Sequence, residues 1–312
     1  MKVIFVASGN KSVGTVSAFV QSQYDSLCRD GIDMTLFPIR GKGWKSYLKG
    51  IRQLRKTVKS QHPDIVHAHY SVCGVVAALA TFHTSTKTVV SILGSFPTPT
   101  FKLHWVRFFI KHVWDATLTK SQRTANQLGI DLPVVPNGVN LDQFTLIDHD
   151  QARKLCGFED NKKYIIWCSH PSRKEKRFDW AQEAVRLLNN SNAVLFPVHD
   201  KTHDEVVKYM CAADVLLLTS EMEGSPNVIK EAMSCNCPIV STDVGDVSWV
   251  TGGVEGTYVA PAGDTAALSR CLAEALDYGK RTKGRERITA YGLTTTDIAK
   301  KIESIYDTLQ HS

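Results

Sequence analysis

Short, unbroken apolar runs recur along the chain, each followed by a turn and then by a stretch with helical spacing. VIFVAS (3–8), MTLFPI (34–39), DIVHAH (64–69), KTVVSIL (87–93) and DATLTKS (115–121) predict five strands, and PVVPNG (133–138) closes this half. Helices are expected near 14–30 and over 44–60, with a further amphipathic segment at 101–114. The pattern restarts with KYIIWCS (163–169) and continues through AVLFPV (193–198), DVLLLTS (214–220), CPIVSTD (237–243) and GTYVAP (256–261). Helices are expected there over 177–189, 203–211 and 264–278, and a helical tail over 292–310. Strands without polar alternation are buried on both faces, which requires a parallel sheet covered by helices on each side. The fold class is therefore α/β, in two Rossmann-like, doubly wound domains over 1–140 and 141–290, with a C-terminal helix in 291–312 and a short hinge near 136–150. Ligands of such sheets bind outside the carboxyl ends of the strands.

Composition narrows the class without naming it. The chain is 43% hydrophobic and 22% charged, as expected of a globular protein, and 37 basic against 31 acidic residues give a net charge of +6. That excess is too small to argue for nucleic acid, and no nucleic-acid-binding module is visible. Eight scattered cysteines, with no CxxC or Cys/His ligand spacing, predict buried free thiols in a reducing compartment. The opening apolar run is too short for a signal segment, and no stretch approaches the roughly 20 apolar residues that span a bilayer. The expectation is a cytoplasmic protein, peripheral on the inner face of the cell membrane if it touches a membrane at all.

The distinctive chemistry is in EMEGSPNVIKEAM (221–233). It follows a buried strand, so Glu223 and Gly224 lie at a strand carboxyl end. Ser225 is suited to capping and Pro226 to the first helical position. Amides near Asn227 and Val228 then favour an anion. Glu231 lies about five residues into that helix, roughly 7–8 Å along its axis. A ligand with a phosphate at the helix start could place a diol near Glu231 and a further polar group near Glu223. Alternatively, Glu223 is a solvated loop carboxylate and Glu231 a surface helix residue.

Five segments in order then point one way. EGSPNVIKEAM with PIVSTDVGD resembles the E-x7-E motif of family 4 of the retaining glycosyltransferases, which have the GT-B fold. VVPNGVN (134–140), HPSRKEKRFD (170–179), AADVLLLTS (212–220) and STDVGD (241–246) resemble further family segments in the expected order. The resemblance implies two domains facing a cleft, with the C-terminal helix crossing back to the first. It implies transfer of a sugar from a nucleotide-diphosphate sugar to a hydroxyl acceptor, with retention and without a metal or other cofactor. Glu231 would accept from ribose hydroxyls, Glu223 would contact the donor sugar, and Arg173 and Lys176 would neutralise the diphosphate. In the first domain SGNKSVG (8–14) resembles the family's glycine-rich loop, which gives Gly9 and Asn10 as donor contacts and Lys11 as an acceptor-side residue. His69, at the end of the third strand, is a second acceptor-side candidate, alongside a structural histidine held by hydrogen bonds. The chain departs from the family at Leu93 in SILGSF (91–96), where a histidine is often found. Asp148-His149-Asp150 has DxD spacing but sits at a helix start, where aspartates cap, so no metal is expected there.

Charge is unevenly placed. No acidic residue occurs between Asp33 and Asp64, while Arg40, Lys42, Lys45, Lys49, Arg52, Arg55, Lys56 and Lys59 do. Trp44, Tyr47, Leu48, Ile51, Leu54 and Val58 recur at helical spacing in the same segment, giving one apolar and one basic side. In 101–114, His104, Arg107 and Lys111 share one face and Trp105, Val106, Phe109 and Val113 another. Basic, aromatic-bearing helices are drawn to anionic membrane, so the expected partners are the nucleotide-sugar, a glycan or lipid-linked acceptor and an anionic leaflet. The acceptor would belong to capsule, exopolysaccharide or lipopolysaccharide synthesis. Rival readings are a nucleotide-sugar 2-epimerase and a non-catalytic subunit that binds nucleotide-sugar or glycan.

Overall fold

The computed structural model describes residues 1–9, 16–41, 43–94 and 101–311. They form two compact units, Met1–Asn137 with Thr295–Ser312, and Gly138–Thr294. The first unit runs β1 (Lys2–Ser8), α1 (Ala18–Arg29), β2 (Asp33–Ile39), α2 (Trp44–Gln61), β3 (Ile65–His69), α3 (Ser71–Thr81), β4 (Lys87–Ile92), α4 (Phe101–His112), β5 (Ala116–Thr119) and α5 (Gln122–Leu128). Its sheet is parallel, in the order β2-β1-β3-β4-β5. Strand residues such as Ile4, Val6, Val66, Ala68 and Val90 are buried against Leu54 and Val58 of α2, Val76 and Ala80 of α3 and Val106 of α4. The apolar runs of β1, β3 and β4 thus become inner strands covered by helices, whereas β2 and β5 are edge strands and β2 is mostly half-buried, because an edge strand has a neighbour on one side only.

The second unit repeats the design with α6 (His149–Cys156), β6 (Lys163–Trp167), α7 (Phe178–Leu188), β7 (Ala193–Pro197), α8 (His203–Ala212), β8 (Val215–Leu218), α9 (Asn227–Ser234), β9 (Ile239–Thr242), α10 (Val247–Thr251), β10 (Thr257–Ala260), α11 (Thr265–Tyr278) and α12 (Gly284–Ala290). Its parallel sheet has the order β10-β9-β8-β6-β7. Ile165, Trp167, Val215, Leu217 and Val240 pack on Ala181 and Ala184 of α7 and on Leu268 and Leu272 of α11. The last helix, α13 (Thr295–Gln310), returns to the first unit and packs on α1. Ser26 Oγ donates to the Thr295 carbonyl at 3.1 Å, and the Tyr306 hydroxyl, fully buried, meets His67 Nδ1 at 2.5 Å.

PVVPNG differs from a full strand. Val134 makes one parallel bridge with Thr119, and the backbone pairs only through Thr119 N–H to the Pro133 carbonyl and Val135 N–H to the Thr119 carbonyl. Pro133 and Pro136 have no N–H to donate, so the ladder cannot extend. All eight cysteines are free, as their spacing suggests, but only Cys73, Cys211, Cys235 and Cys237 are buried, while Cys156, Cys168 and Cys271 are half-buried and Cys28 is exposed at the end of α1. No helix of the described residues is long and apolar enough to cross a membrane.

Candidate functional site

In the second unit β6 lies between β7 and β8. The chain leaves β6 to one side of the sheet and returns on the other, and at such a switch point the loops diverge and leave a crevice at the strand ends. Three loops leave neighbouring carboxyl ends there, 168–177 after β6, 219–226 after β8 and 243–246 after β9. Arg173, Lys176, Glu223 and Gly224 lie on the first two, and Glu231 on the helix that follows the second.

Lys176 and Glu223 are paired, with Nζ donating to Oε1, and both side chains are largely buried. The pair spans 47 residues of sequence and is set up by backbone ties. Residues Lys174–Lys176 form a single 3-10 turn closed by Arg177 in the left-handed region at φ 51. Glu221 N–H donates to the Glu175 carbonyl at 3.1 Å, joining the two loops directly. Thr219 then fastens the turn from beneath. Its hydroxyl accepts from the Trp167 indole N–H at 2.9 Å and faces the carbonyls of Lys176 and Arg177, each at 2.9 Å, to which its single proton is directed. Trp167 and Thr219 are buried, and sequence reading passes over both as strand residues. Arg173 is more exposed and folds onto Glu175, Nε to Oε1 at 2.9 Å. It stands beside the Lys176 turn as a second cation, held by a neighbour that a stronger anion can displace. Arg177 is bonded to Asp179 and lies over the Trp180 ring.

The start of α9 corrects one expectation. Pro226 is the N-cap residue and helical geometry begins at Asn227, so Pro226 stands one place earlier than expected. The Ser225 hydroxyl donates to Asp246 Oδ2 at 2.7 Å and accepts from Lys230 Nζ at 2.8 Å, charge-assisted bonds that tie it to a buried lysine and aspartate. Gly224 and Pro226 are buried and Asn227 and Val228 half-buried, so the helix start is partly presented to solvent. Glu231 retains some exposure while its carboxyl is largely enclosed. Burial pushes that carboxyl up to about 7, against the pull of the Lys230 and Lys176 ammonium groups. Once ionised, such a carboxylate can accept hydrogen bonds from two hydroxyls.

The first unit has its own switch point, between β1 and β3. Gly9 is at the end of β1, where its N–H donates to the Ile39 carbonyl at 2.8 Å. Asn10 and Lys11 lie outside the described residues. His69, at the end of β3, is fully buried, stacked on His67 with ring centroids 4.7 Å apart and met edge-on by Phe5. Among the described residues, neither of its ring nitrogens has a hydrogen-bond partner. Its position is that of a core histidine, but ring stacking replaces the expected hydrogen bonds. Burial lowers its pKa well below the ordinary range, with His67 and Lys120 adding to the effect, so the ring is neutral. His67 is the hydrogen-bonded member, to Tyr306 and to Ser91 Oγ at 2.8 Å, and burial holds it at about 3. Leu93 is half-buried just beyond β4.

The basic helices are rearranged relative to expectation. In α2, Leu54 and Val58 enter the core and Tyr47 and Ile51 pack beside it, but Trp44 and Leu48 are exposed. Periodicity alone does not show where the first turn overhangs the sheet. Lys45, Lys49, Arg52, Lys56 and Lys59 are exposed along the opposite side, and Lys42 lies outside the described residues. In α4, Arg107 is not part of a free basic face. Its Nε donates to the Leu128 carbonyl at 2.6 Å and its Nη2 to Gln127 at 3.1 Å, satisfying the last carbonyls of α5. Phe101 and Phe108 are exposed there, and Val113 beyond the helix end is exposed instead of packed.

Asp148 caps α6, accepting from Gln151 N–H at 3.0 Å, as its place suggested. Among the described residues, His170, His199 and Asp200 bring possible metal-ligand atoms within 4.8 Å of one another. Each imidazole is already engaged through Nδ1, His170 with Ser172 Oγ at 2.7 Å and His199 with Asp200 Oδ2 at 2.8 Å.

Residues 15–143 match the protein family described as Glycosyltransferase Family 4, and residues 163–278 match the family described as Glycosyl transferases group 1. Among curated proteins, the chain is similar to the putative teichuronic acid biosynthesis glycosyltransferase TuaC of Bacillus subtilis (strain 168), 27% identical over 250 residues, covering 71% of this chain and 63% of that protein. It is also similar to the lipopolysaccharide core biosynthesis mannosyltransferase LpsB of Rhizobium meliloti (strain 1021), 26% identical over 248 residues, covering 66% of this chain and 68% of that one. The chain thus spans about two thirds of the length of these curated relatives. Similar solved structures include sucrose-phosphate synthase from Thermosynechococcus elongatus, with TM-score 0.79 at 14% identity over 100% of this chain and 99% of that one. Another is Anabaena HepE in complex with UDP, with TM-score 0.77 at 16% identity over 99% and 100%. The two parallel five-stranded sheets with flanking helices are the two Rossmann-like domains of a GT-B fold.

Proposed function

We propose that this chain, whose two halves match glycosyltransferase families, moves a sugar from a nucleotide-diphosphate sugar to a hydroxyl acceptor with retention of anomeric configuration. The observation that carries the reading is the grouping of Lys176, Glu223 and Glu231 around the start of α9, at the switch point of the second sheet. A nucleotide-sugar has three parts, ribose, diphosphate and sugar, that these groups suit. Glu231 accepts from the ribose hydroxyls, the helix start with Lys176 and Arg173 meets the diphosphate, and Glu223 contacts the donor sugar. The complex of Anabaena HepE with UDP-glucose supports a donor of this class.

In the reaction the bond between the anomeric carbon and the diphosphate oxygen breaks while the acceptor oxygen bonds to the same face of that carbon. Negative charge accumulates on the departing diphosphate, and fixed cations and helix amides lower the barrier by meeting it. The acceptor proton passes to the leaving phosphate, which gives it a base without a dedicated side chain. Lys176, Arg173 and the helix start supply the charge that a metal would otherwise supply, so the transfer is proposed to be metal-independent.

The acceptor is proposed to be a growing cell-surface glycan, handled by the first unit. The names of the teichuronic acid and lipopolysaccharide-core relatives favour that class. The exposed basic row of α2 with Trp44 and Leu48, and the exposed Phe101 and Phe108 of α4, support a peripheral site on an anionic cytoplasmic leaflet. The test is donor consumption. UDP- and GDP-sugars are incubated with the protein and release of nucleoside diphosphate is followed, with Glu223→Gln as control. Release that falls in the variant supports the transferase. Binding without release in the wild type identifies a non-catalytic subunit, and a changed sugar without acceptor identifies an epimerase.

A further inference from the structure

Lys230 is unusual among the residues of α9. Ile229, Ala232 and Met233 on either side of it are buried, and an apolar residue at 230 would complete the same face. Instead the position carries an ammonium with no solvent exposure. Its Nζ donates to Asp246 Oδ2 at 2.8 Å and to Ser225 Oγ at 2.8 Å, and the Ser225 hydroxyl donates to the same Oδ2 at 2.7 Å. Asp246 and Ser225 are each 5% exposed. The three side chains form a closed triangle between the helix, the turn before it and the loop after β9.

Backbone contacts run alongside. Gly245 has φ +59, and a Cβ there would stand 2.5 Å from the Gly224 carbonyl oxygen, so the loop after β9 lies directly on the Glu223-Gly224 turn. The Thr242 hydroxyl donates to the Ser220 carbonyl at 2.7 Å, joining the ends of β9 and β8. We propose that Lys230 and Asp246 are positioning residues of the donor site, a buried ion pair that fixes, through Ser225, the turn carrying Glu223 and the start of α9. The inference rests on the transferase reading above and adds two residues to it.

Stability alone does not account for the pair. Two charges taken out of water repay their desolvation only in favourable geometry, and apolar residues of similar volume often hold a fold as well or better. Asp246 Oδ1 is moreover buried without a partner among the described residues, which works against stability. What the triangle does supply is one orientation for Ser225, and hence one path for the chain from Glu223 to Asn227. Lys230 also bears on the neighbouring carboxylate, since its charge favours the ionised form of Glu231.

The test removes both charges together, because either residue left alone is an uncompensated buried ion. Lys230→Met with Asp246→Leu is compared with the wild type for donor hydrolysis, using UDP-glucose, UDP-N-acetylglucosamine and GDP-mannose as probes and water as acceptor. The double variant keeps cooperative unfolding, its KM for the donor stays within about threefold, and kcat falls about 100-fold, the scale of an ångström of misplacement. A role confined to folding would move the melting temperature and leave kcat alone. If the double variant fails to fold, Ser225→Ala decides, since it cuts the link and leaves the pair, and its kcat is expected to fall about tenfold. Wild-type turnover with kcat unchanged within twofold in the folded double variant, or in Ser225→Ala where that decides, overturns this inference and leaves the transferase reading standing. A wild type that neither binds nor consumes any probe overturns both.

Discussion

Lys176 holds Glu223 across the two loops that leave β6 and β8, ammonium to carboxylate, with both side chains mostly out of water. Each is the partner of the other in the ligand-free chain, and in the proposed complex each has a second task, one toward a diphosphate and the other toward a sugar. The pair keeps two charged groups ordered at the switch point, and in the proposed reading that ordering pre-organises the donor site.

Removing either member is expected to separate binding from chemistry. Glu223→Gln keeps the shape and hydrogen-bonding capacity, so donor binding changes by less than about threefold while kcat falls roughly 100-fold, as when one group serving the transition state is lost. Lys176→Ala leaves a half-buried carboxylate without its cation and lowers stability by about 1–3 kcal/mol, with weaker diphosphate binding. Steady-state kinetics beside thermal unfolding check both. Equal loss of KM and stability in the two variants contradicts the separate roles.

The raised carboxyl of Glu231 fixes a pH dependence. Hydroxyls donate to it only when it is ionised, and its free-protein value is about 7, so intact nucleotide-sugar should bind about tenfold more tightly at pH 8 than at pH 6. A nucleotide-sugar is the proper probe, because the terminal phosphate of a free diphosphate titrates in the same range. In Glu231→Gln the dependence is expected to flatten. Calorimetry at the two pH values reads it, and an affinity in the wild type that is level or falls with pH contradicts the assignment.

The same group acts oppositely on stability. A carboxyl whose folded value lies above its unfolded value penalises the folded state as pH rises from the unfolded value of about 4.3, and the penalty levels off above the folded value near 7. Ligand-free Glu231→Gln is therefore expected to melt higher than the wild type at pH 8, with the difference shrinking toward pH 4. Thermal unfolding across that range checks it, and a variant that melts lower than the wild type at pH 8 contradicts the burial cause.

Thr219 is predicted to matter beyond its size. Thr219→Val leaves the Trp167 indole N–H and two loop carbonyls without their hydroxyl and should lower stability by about 1–3 kcal/mol. Because those carbonyls belong to Lys176 and Arg177, kcat is expected to fall as well. Unfolding and donor turnover measured together test it, and a stable variant with full turnover refutes the role of the hydroxyl.

Membrane attachment is predicted to reside in α2. Replacing Lys45, Lys49 and Arg52 by Ala should weaken partitioning onto vesicles containing phosphatidylserine by about 100-fold, at roughly 1 kcal/mol for each charge. Co-flotation of the wild type at physiological salt, lost in the triple variant, is the expected result. Failure of the wild type to float contradicts the attachment.

The strands were legible because each is an unbroken apolar run, a signal that survives without knowledge of its neighbours. The motif around Glu223 and Glu231 was legible for a related reason, since both residues lie in one helix and its approach. The partners of that segment were not. Asp246 meets Lys230 from the loop after the next strand, and nothing local marks a lysine in an apolar helix face as buried. The same distance hid Thr219, whose partners are a tryptophan on β6 and a turn after it. Trp44 and Leu48 fit a helical stripe, yet a stripe carries no information on how far the sheet beneath extends.

The most direct test of the account is a thermal-shift panel of UDP, GDP, ADP and CMP, each with and without its sugar, on the wild type and on Glu231→Ala. One nucleoside diphosphate, together with its sugar conjugate, is predicted to raise the melting temperature of the wild type and not of the variant, which would also name the base of the donor. A panel in which none of them shifts the wild type, or in which the variant responds equally, contradicts the claim that Glu231 and the start of α9 hold a nucleotide-sugar.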